Sequence, residues 1–145
     1  MILISHRGNT HGKIPSLENN PVYIRTALKN GYDVEVDIWR IKKKWYLGHD
    51  EPQYQIKEDF FNQHGLWCHA KNIFALQQMT ILGVHCFWHQ TDDVVLTSKN
   101  YLWTYPGKKL TFKSIAVLPE EADYSEADLR KCTGICSDYI EKYRQ

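Results

Sequence analysis

The sequence predicts an α/β fold in which a mostly parallel sheet closes into a reduced (β/α) barrel. Three observations carry this expectation. Short apolar runs alternate with helical segments up to about Gln90, which implies parallel strands joined by crossovers. Seven or eight strand-like runs recur along the chain, a number that suits a closed barrel better than a doubly wound sheet. The chain has only 145 residues, whereas such barrels use about 250, so several crossover helices must be shortened or missing. With 43% apolar and 24% charged residues, residues 1–145 fit one domain around one core.

In chain order, Ile2 to His6 is an apolar run closed by a histidine and reads as a buried strand. Thr10 to Asn20 is polar, contains Pro15 and reads as a loop. Asn20 caps a helix with Pro21 in first position; Tyr23, Ile24, Ala27 and Leu28 share one face, and Asn30 and Gly31 stop it. Residues 33 to 38 form a strand that places Asp33, Glu35 and Asp37 on one face and Val34, Val36 and Ile38 on the other. Trp45 to Leu47 form a second strand, and the link between them is too short for a parallel crossover, so the two pair as an antiparallel hairpin. Pro52 to Gln63 carries Ile56, Phe60 and Phe61 at helical spacing. Leu66 to Ala70 is a strand, Asn72 caps a helix over Ile73 to Leu82, and Val84 to His89 is the next strand. Val94 to Thr97 and Tyr101 to Tyr105 are strand-like and separated by no more than a turn. Ser114 to Leu118 is a strand, Ser125 caps a short helix with Asp128 in the capping-box position, and Gly134 to Ile140 is the last strand.

Chemistry concentrates between Asp33 and Asp50. Glu35 and Asp37, two residues apart on one strand face, make a half-site for a hard divalent cation, and the hairpin returns His49 towards them. The same alternation also fits a solvated strand; inside a barrel, however, carboxylates need a cation or strong donors. A net charge of +1 and a pI near 7.7 give no electrostatic case for a nucleic acid or membrane partner. No apolar run approaches a membrane span and no signal segment opens the chain, which points to the cytoplasm. Cys68, Cys86, Cys132 and Cys136 read as buried free thiols. A Cys₂His₂ zinc site from Cys68, His69, Cys86 and His89 is disfavoured, since Cys68 and His69 face opposite ways on a strand. Trp67 and Trp103 serve either core packing or stacking on a sugar or polyol.

Taken together, HRG at 6–8, the Glu18–Asn19 pair before a helix, GYDVEVDIW at 31–39, GHD at 48–50 and GICSDYI at 134–140 resemble the glycerophosphodiester phosphodiesterases. That family belongs with the phosphatidylinositol-specific phospholipase C-like barrels. The resemblance implies a TIM-type barrel that hydrolyses a small phosphodiester at the carboxyl ends of its strands. It implies His6 and His49 as acid and base, Glu35 and Asp37 as metal ligands, and Arg7, Glu18, Lys71 and Asp138 as substrate contacts. His69 stands where the family has a third ligand glutamate. The cofactor implied is one divalent ion, Mg²⁺ or Ca²⁺ by resemblance and Mn²⁺ or Zn²⁺ through the imidazole of His69. The alternative from a different class is a non-catalytic module that binds a phosphate ester or sugar phosphate. The sequence leaves the oligomeric state open.

Overall fold

The computed structural model describes residues 1–145. Strand β1 covers Ile2–His6 and helix α1 Pro21–Lys29, whose Asn20 cap accepts from the Val22 and Tyr23 amides. Strand β2 runs Asp33–Ile41 and turns through Lys42 and Lys43, both with positive φ, into antiparallel β3, Lys44–Leu47. The expected helix over Pro52–Gln63 does not form. Instead Tyr54–Ile56 make β4, antiparallel to β3, and a 3₁₀ turn follows over Glu58–Asn62. The spacing of Ile56, Phe60 and Phe61 is satisfied another way: Ile56 pairs across from Trp45, and Phe61 meets the Trp45 ring edge-on at 4.8 Å.

Strand β5 is Leu66–Ala70, α2 is Ile73–Ile81 under its Asn72 cap, and β6 shrinks to Cys86–Phe87. Strands β7, Val94–Leu96, and β8, Leu102–Thr104, form an antiparallel hairpin. Strand β9, Ser114–Val117, is followed by the short helix α3, Glu126–Arg130, and by β10, Gly134–Ser137.

The expected TIM-type (β/α) barrel is overturned by the sheet order. Strands β6, β5, β2, β1, β10, β9 and β8 lie side by side in parallel, but no ladder joins β6 to β8. The result is a curled mixed half-barrel, with β3 and β4 branching from β2, β7 added to β8, and three helices. The physical cause sits at β6. Its free edge is occupied by a loop, because the Ser98 amide donates to the Cys86 carbonyl at 2.9 Å and the Cys86 amide donates to Ser98 Oγ at 2.9 Å. A strand whose hydrogen-bonding groups are already satisfied cannot template another.

The two faces of the sheet bury different things. On the convex side Val34, Val36, Ile38, Cys68 and Ala70 pack with Ile24 and Ala27 of α1 and with Ala75 and Met79 of α2. Each fully buried aliphatic side chain contributes roughly 1.5–3 kcal/mol. On the concave side Ile4, Trp67, Phe87, Trp103, Ile115, Val117 and Cys136 form a separate core that fills the curl. Trp67 and Trp103 are each 2% exposed, so both are packing residues. All four cysteines are buried free thiols. No helix is long and apolar enough to cross a membrane.

Candidate functional site

The polar cluster lies at the carboxyl ends of the parallel strands, and its geometry begins with the turn that closes β1. Arg7 and Gly8 have φ of 56° and 98°, and the Asn9 amide donates to the His6 carbonyl at 3.0 Å, the signature of a tight turn with both central residues left-handed. Gly8 is required there twice over: besides its φ, a Cβ would lie 2.5 Å from Tyr23 Cδ1. Arg7 lacks that freedom, and its left-handed backbone costs about 1–2 kcal/mol. The turn is stitched to its neighbours, since the Arg7 amide donates to the Glu35 carbonyl and the Asn19 amide to the Arg7 carbonyl, both at 3.0 Å. Its effect is to bring Arg7 Nε to 3.2 Å from Asp37 Oδ2 and Nη1 to 3.2 Å from Glu18 Oε2.

Glu35 and Asp37 project from β2 into this space and are 2% and 0% exposed. Asn19 holds Asp37 from both ends, donating from Nδ2 to Oδ2 at 2.8 Å and accepting the Asp37 amide at 2.9 Å. Across the β2–β5 pair, His69 Nδ1 lies 3.1 Å from Asp37 Oδ1 and 3.8 Å from Glu35 Oε1. Ligand atoms of Glu35, Asp37 and His69 all fall within 4.8 Å of one another. Glu35 Oε2 and Asp37 Oδ1 are nevertheless buried without a formed hydrogen bond. Orphaned carboxylate oxygens are costly. Burial and the adjacent Asp37 push the Glu35 carboxyl pKa up; burial would do the same to Asp37, but His69, Arg7 and Asn19 more than reverse it and hold that carboxyl far below its usual range.

His6 is fixed from behind. Its Nδ1 lies 2.8 Å from Asp138 Oδ1, an acceptor that Asn9 Nδ2 also reaches at 2.8 Å, and its Nε2 is left 3.8 Å from Glu35 Oε2. A carboxylate only accepts, so Nδ1 carries the hydrogen and Nε2 faces the cluster. Burial alone would lower the His6 pKa; the bond to Asp138 and the field of Glu35 outweigh it, and the net shift is upward. His49 is placed differently. It follows β3 in a turn that demands glycine, because a Cβ on Gly48 would lie 2.0 Å from the Glu51 carbonyl oxygen. Its side chain is 40% exposed and bonded to Asp50 at 2.8 Å, and burial with the Arg7 charge moves its pKa down. His49 shares a cleft of about 420 Å³ with Arg7, Lys13, Glu18, Asn19 and Gln53.

The structure thus gathers Glu35, Asp37 and His69 in one group, with His6 and Arg7 against it. Glu18 lines the cleft with both oxygens engaged, Oε2 by Arg7 and Oε1 by Asn9 Nδ2 at 3.0 Å, so its work is to anchor Arg7. Asp138 contacts His6 and Asn9. Lys71 follows β5 on the His69 side, half-buried, its amide bonded to the Ile38 carbonyl at 2.8 Å. Sequence reasoning missed Asn9 and Asn19, the two amides that serve the buried carboxylates. The signal was available: buried carboxylates need donors, and these asparagines flank the HRG and Glu18 positions. It also missed Glu120, which accepts from Ser137 Oγ and the Asp138 amide and so steadies the aspartate behind His6; nothing in its local sequence marks it. Compared with known proteins, the chain matches no family model, no curated protein and no solved structure at a significant level.

Proposed function

We propose that the chain hydrolyses a small phosphodiester of the glycerophosphodiester kind with the help of one divalent cation. The observation that carries this reading is the pair of orphaned, fully buried carboxylate oxygens on Glu35 and Asp37 beside a histidine whose tautomer is set by Asp138. Residues that fit a cation are therefore Glu35, Asp37 and His69. Bound there, such an ion would polarise a phosphoryl oxygen and offset its negative charge.

The chain's own groups supply the rest. Arg7 and Lys71 attract the phosphate and hold it in the ground state. His6, kept protonated more readily than a free histidine, is suited to give a proton from Nε2 to the leaving alcohol. His49, kept neutral more readily, is suited to take a proton from the attacking hydroxyl or water. The resemblance to the glycerophosphodiester phosphodiesterases supports the same division between metal ligands and histidines. A cytoplasmic setting suits the four free thiols.

The experiment is a panel of glycerophosphodiesters and a chromogenic phosphodiester assayed with Mg²⁺, Ca²⁺, Mn²⁺ and Zn²⁺ against wild type and His6→Ala. Wild type should turn over at least one diester, and His6→Ala should lose on the order of a hundredfold or more in kcat with little change in KM. Binding of a phosphate ester without turnover of any diester would replace this reading with that of a binding module.

A further inference from the structure

The cation class can be narrowed from the way His69 is held. Phe87 stacks on its ring with centroids 5.2 Å apart and planes 6° from parallel, which fixes the plane. Its Nε2 points at the His89 carbonyl oxygen at 3.4 Å. Nδ1 faces Asp37 Oδ1 at 3.1 Å and Glu35 Oε1 at 3.8 Å, so a cation bound at Nδ1 takes the place of a hydrogen there, while the His89 carbonyl, which only accepts, holds the other hydrogen on Nε2. The nitrogen and the two carboxylates converge in one buried space, with the ligand atoms of all three side chains within 4.8 Å of one another.

The oxygen supply is meagre. Asp37 Oδ2 is already engaged by Asn19 Nδ2 and faces the Arg7 guanidinium, so Asp37 has only Oδ1 to offer. Calcium needs six to eight oxygen ligands, and magnesium is best served by carboxylates in an octahedron of oxygens. An imidazole nitrogen with two carboxylates, leaving further positions open, suits first-row transition ions. We infer that the cluster selects Mn²⁺ or Zn²⁺ over Mg²⁺ and Ca²⁺, with Nδ1 of His69 as the ligand that makes the selection and the His89 carbonyl as the acceptor that keeps the remaining ring hydrogen on Nε2.

This rests on the reading that Glu35 and Asp37 hold a cation, and the test separates the two. The full chain, stripped with EDTA, is titrated calorimetrically with each metal alone. Mn²⁺ and Zn²⁺ should bind on the order of a hundredfold tighter than Mg²⁺ and Ca²⁺, and His69→Glu should narrow that gap by at least tenfold, the usual reach of a ligand-level change. Electron paramagnetic resonance of the Mn²⁺-loaded chain should show coupling to a nitrogen that His69→Glu removes. Wild-type ranking and nitrogen coupling need no variant, so a His69→Glu chain that failed to fold would leave both measurements decisive. Mg²⁺ or Ca²⁺ binding as tightly as Mn²⁺, or a gap or nitrogen signal unchanged in His69→Glu, overturns the selectivity while leaving the cation site standing. Failure of every divalent ion to bind overturns both.

Discussion

Glu35→Gln should make the metal-free protein more stable. Wild-type Glu35 is 2% exposed, its Oε2 has no partner, and it lies beside the ionised Asp37. Glutamine has nearly the same shape, removes the repulsion and can donate to a neighbouring carboxylate. An unsatisfied buried oxygen costs about 1–3 kcal/mol, so the variant should gain that much in EDTA. With an unfolding entropy of about 2.1 cal/mol/K per residue over 145 residues, the gain corresponds to roughly 3–10 °C in Tm.

The same substitution should cost stability once a cation is present. At a free cation concentration of about 100 Kd the wild type gains about 2.7 kcal/mol, and a variant that no longer binds gains nothing. The order of the two Tm values should therefore close or reverse on adding Mn²⁺. Scanning calorimetry of both chains, with EDTA and then with Mn²⁺, reads the crossover directly. A Glu35→Gln chain less stable than wild type in EDTA would mean that Glu35 is a satisfied structural carboxylate, and the cation reading would lose its main support.

Three further outcomes follow from other parts of the molecule. Asp138→Asn weakens the acceptor that holds His6 Nδ1 and should lower phosphodiester turnover about tenfold to a thousandfold and displace the pH–rate profile, with KM little changed; an unchanged profile would show that His6 needs no positioning. His85, half-buried against Trp67 and near Lys99, has its pKa lowered from 6.5 to about 4, so the unfolded chain takes a proton at a higher pH than the folded one does; the stability this residue contributes above pH 6.5 is lost as the pH falls towards 4, and His85→Gln should flatten denaturation midpoints across that window. Lys42→Asn with Lys43→Gly, at φ of 48° and 65°, should raise stability by about 1 kcal/mol in urea titrations, because those residues adopt the left-handed turn more readily than lysine; no gain would mean that the lysines make compensating contacts.

Local signals in the sequence were strong where a residue's own chemistry decides the outcome. Asn20, Asn72 and Ser125 each cap the helix expected of them, and Pro21 stands at the start of α1. The alternation in β2 correctly put Glu35 and Asp37 together, and the short link to β3 required a hairpin. Long-range pairing was not legible. Whether Tyr54–Ile56 form a helix or a strand depends on β3 lying alongside, and apolar spacing alone favours the helix. Closure of the barrel failed for a similar reason: Ser98 occupies the edge of Cys86, a contact over twelve positions that no periodicity reveals. The grouping of Glu35, Asp37 and His69 was more legible, since these residues lie on strand faces that alternation fixes, whereas the supporting amides Asn9 and Asn19 come from a loop.

An incomplete barrel can still hold such a site because of where the break falls. In the parallel run the order is β6, β5, β2, β1, β10, β9 and β8, and the cluster draws on β5, β2, β1 and the residue after β10. Each of those strands is paired on both edges, while the edges without a strand partner belong to β6, to β7 and to β4. Strands hydrogen-bonded on both sides open last and hold side chains most steadily. Trp67, Phe87 and Trp103 fill the curl where a complete barrel would have its layered interior, their rings in contact and each no more than 3% exposed. The helices α1 and α2 back β2 and β5, the strands that carry Glu35, Asp37 and His69. The strained turn at Arg7 is kept at its centre, tied by the Glu35 carbonyl on one side and the Asn19 amide on the other, and strain of that kind persists only where the surrounding structure over-determines it.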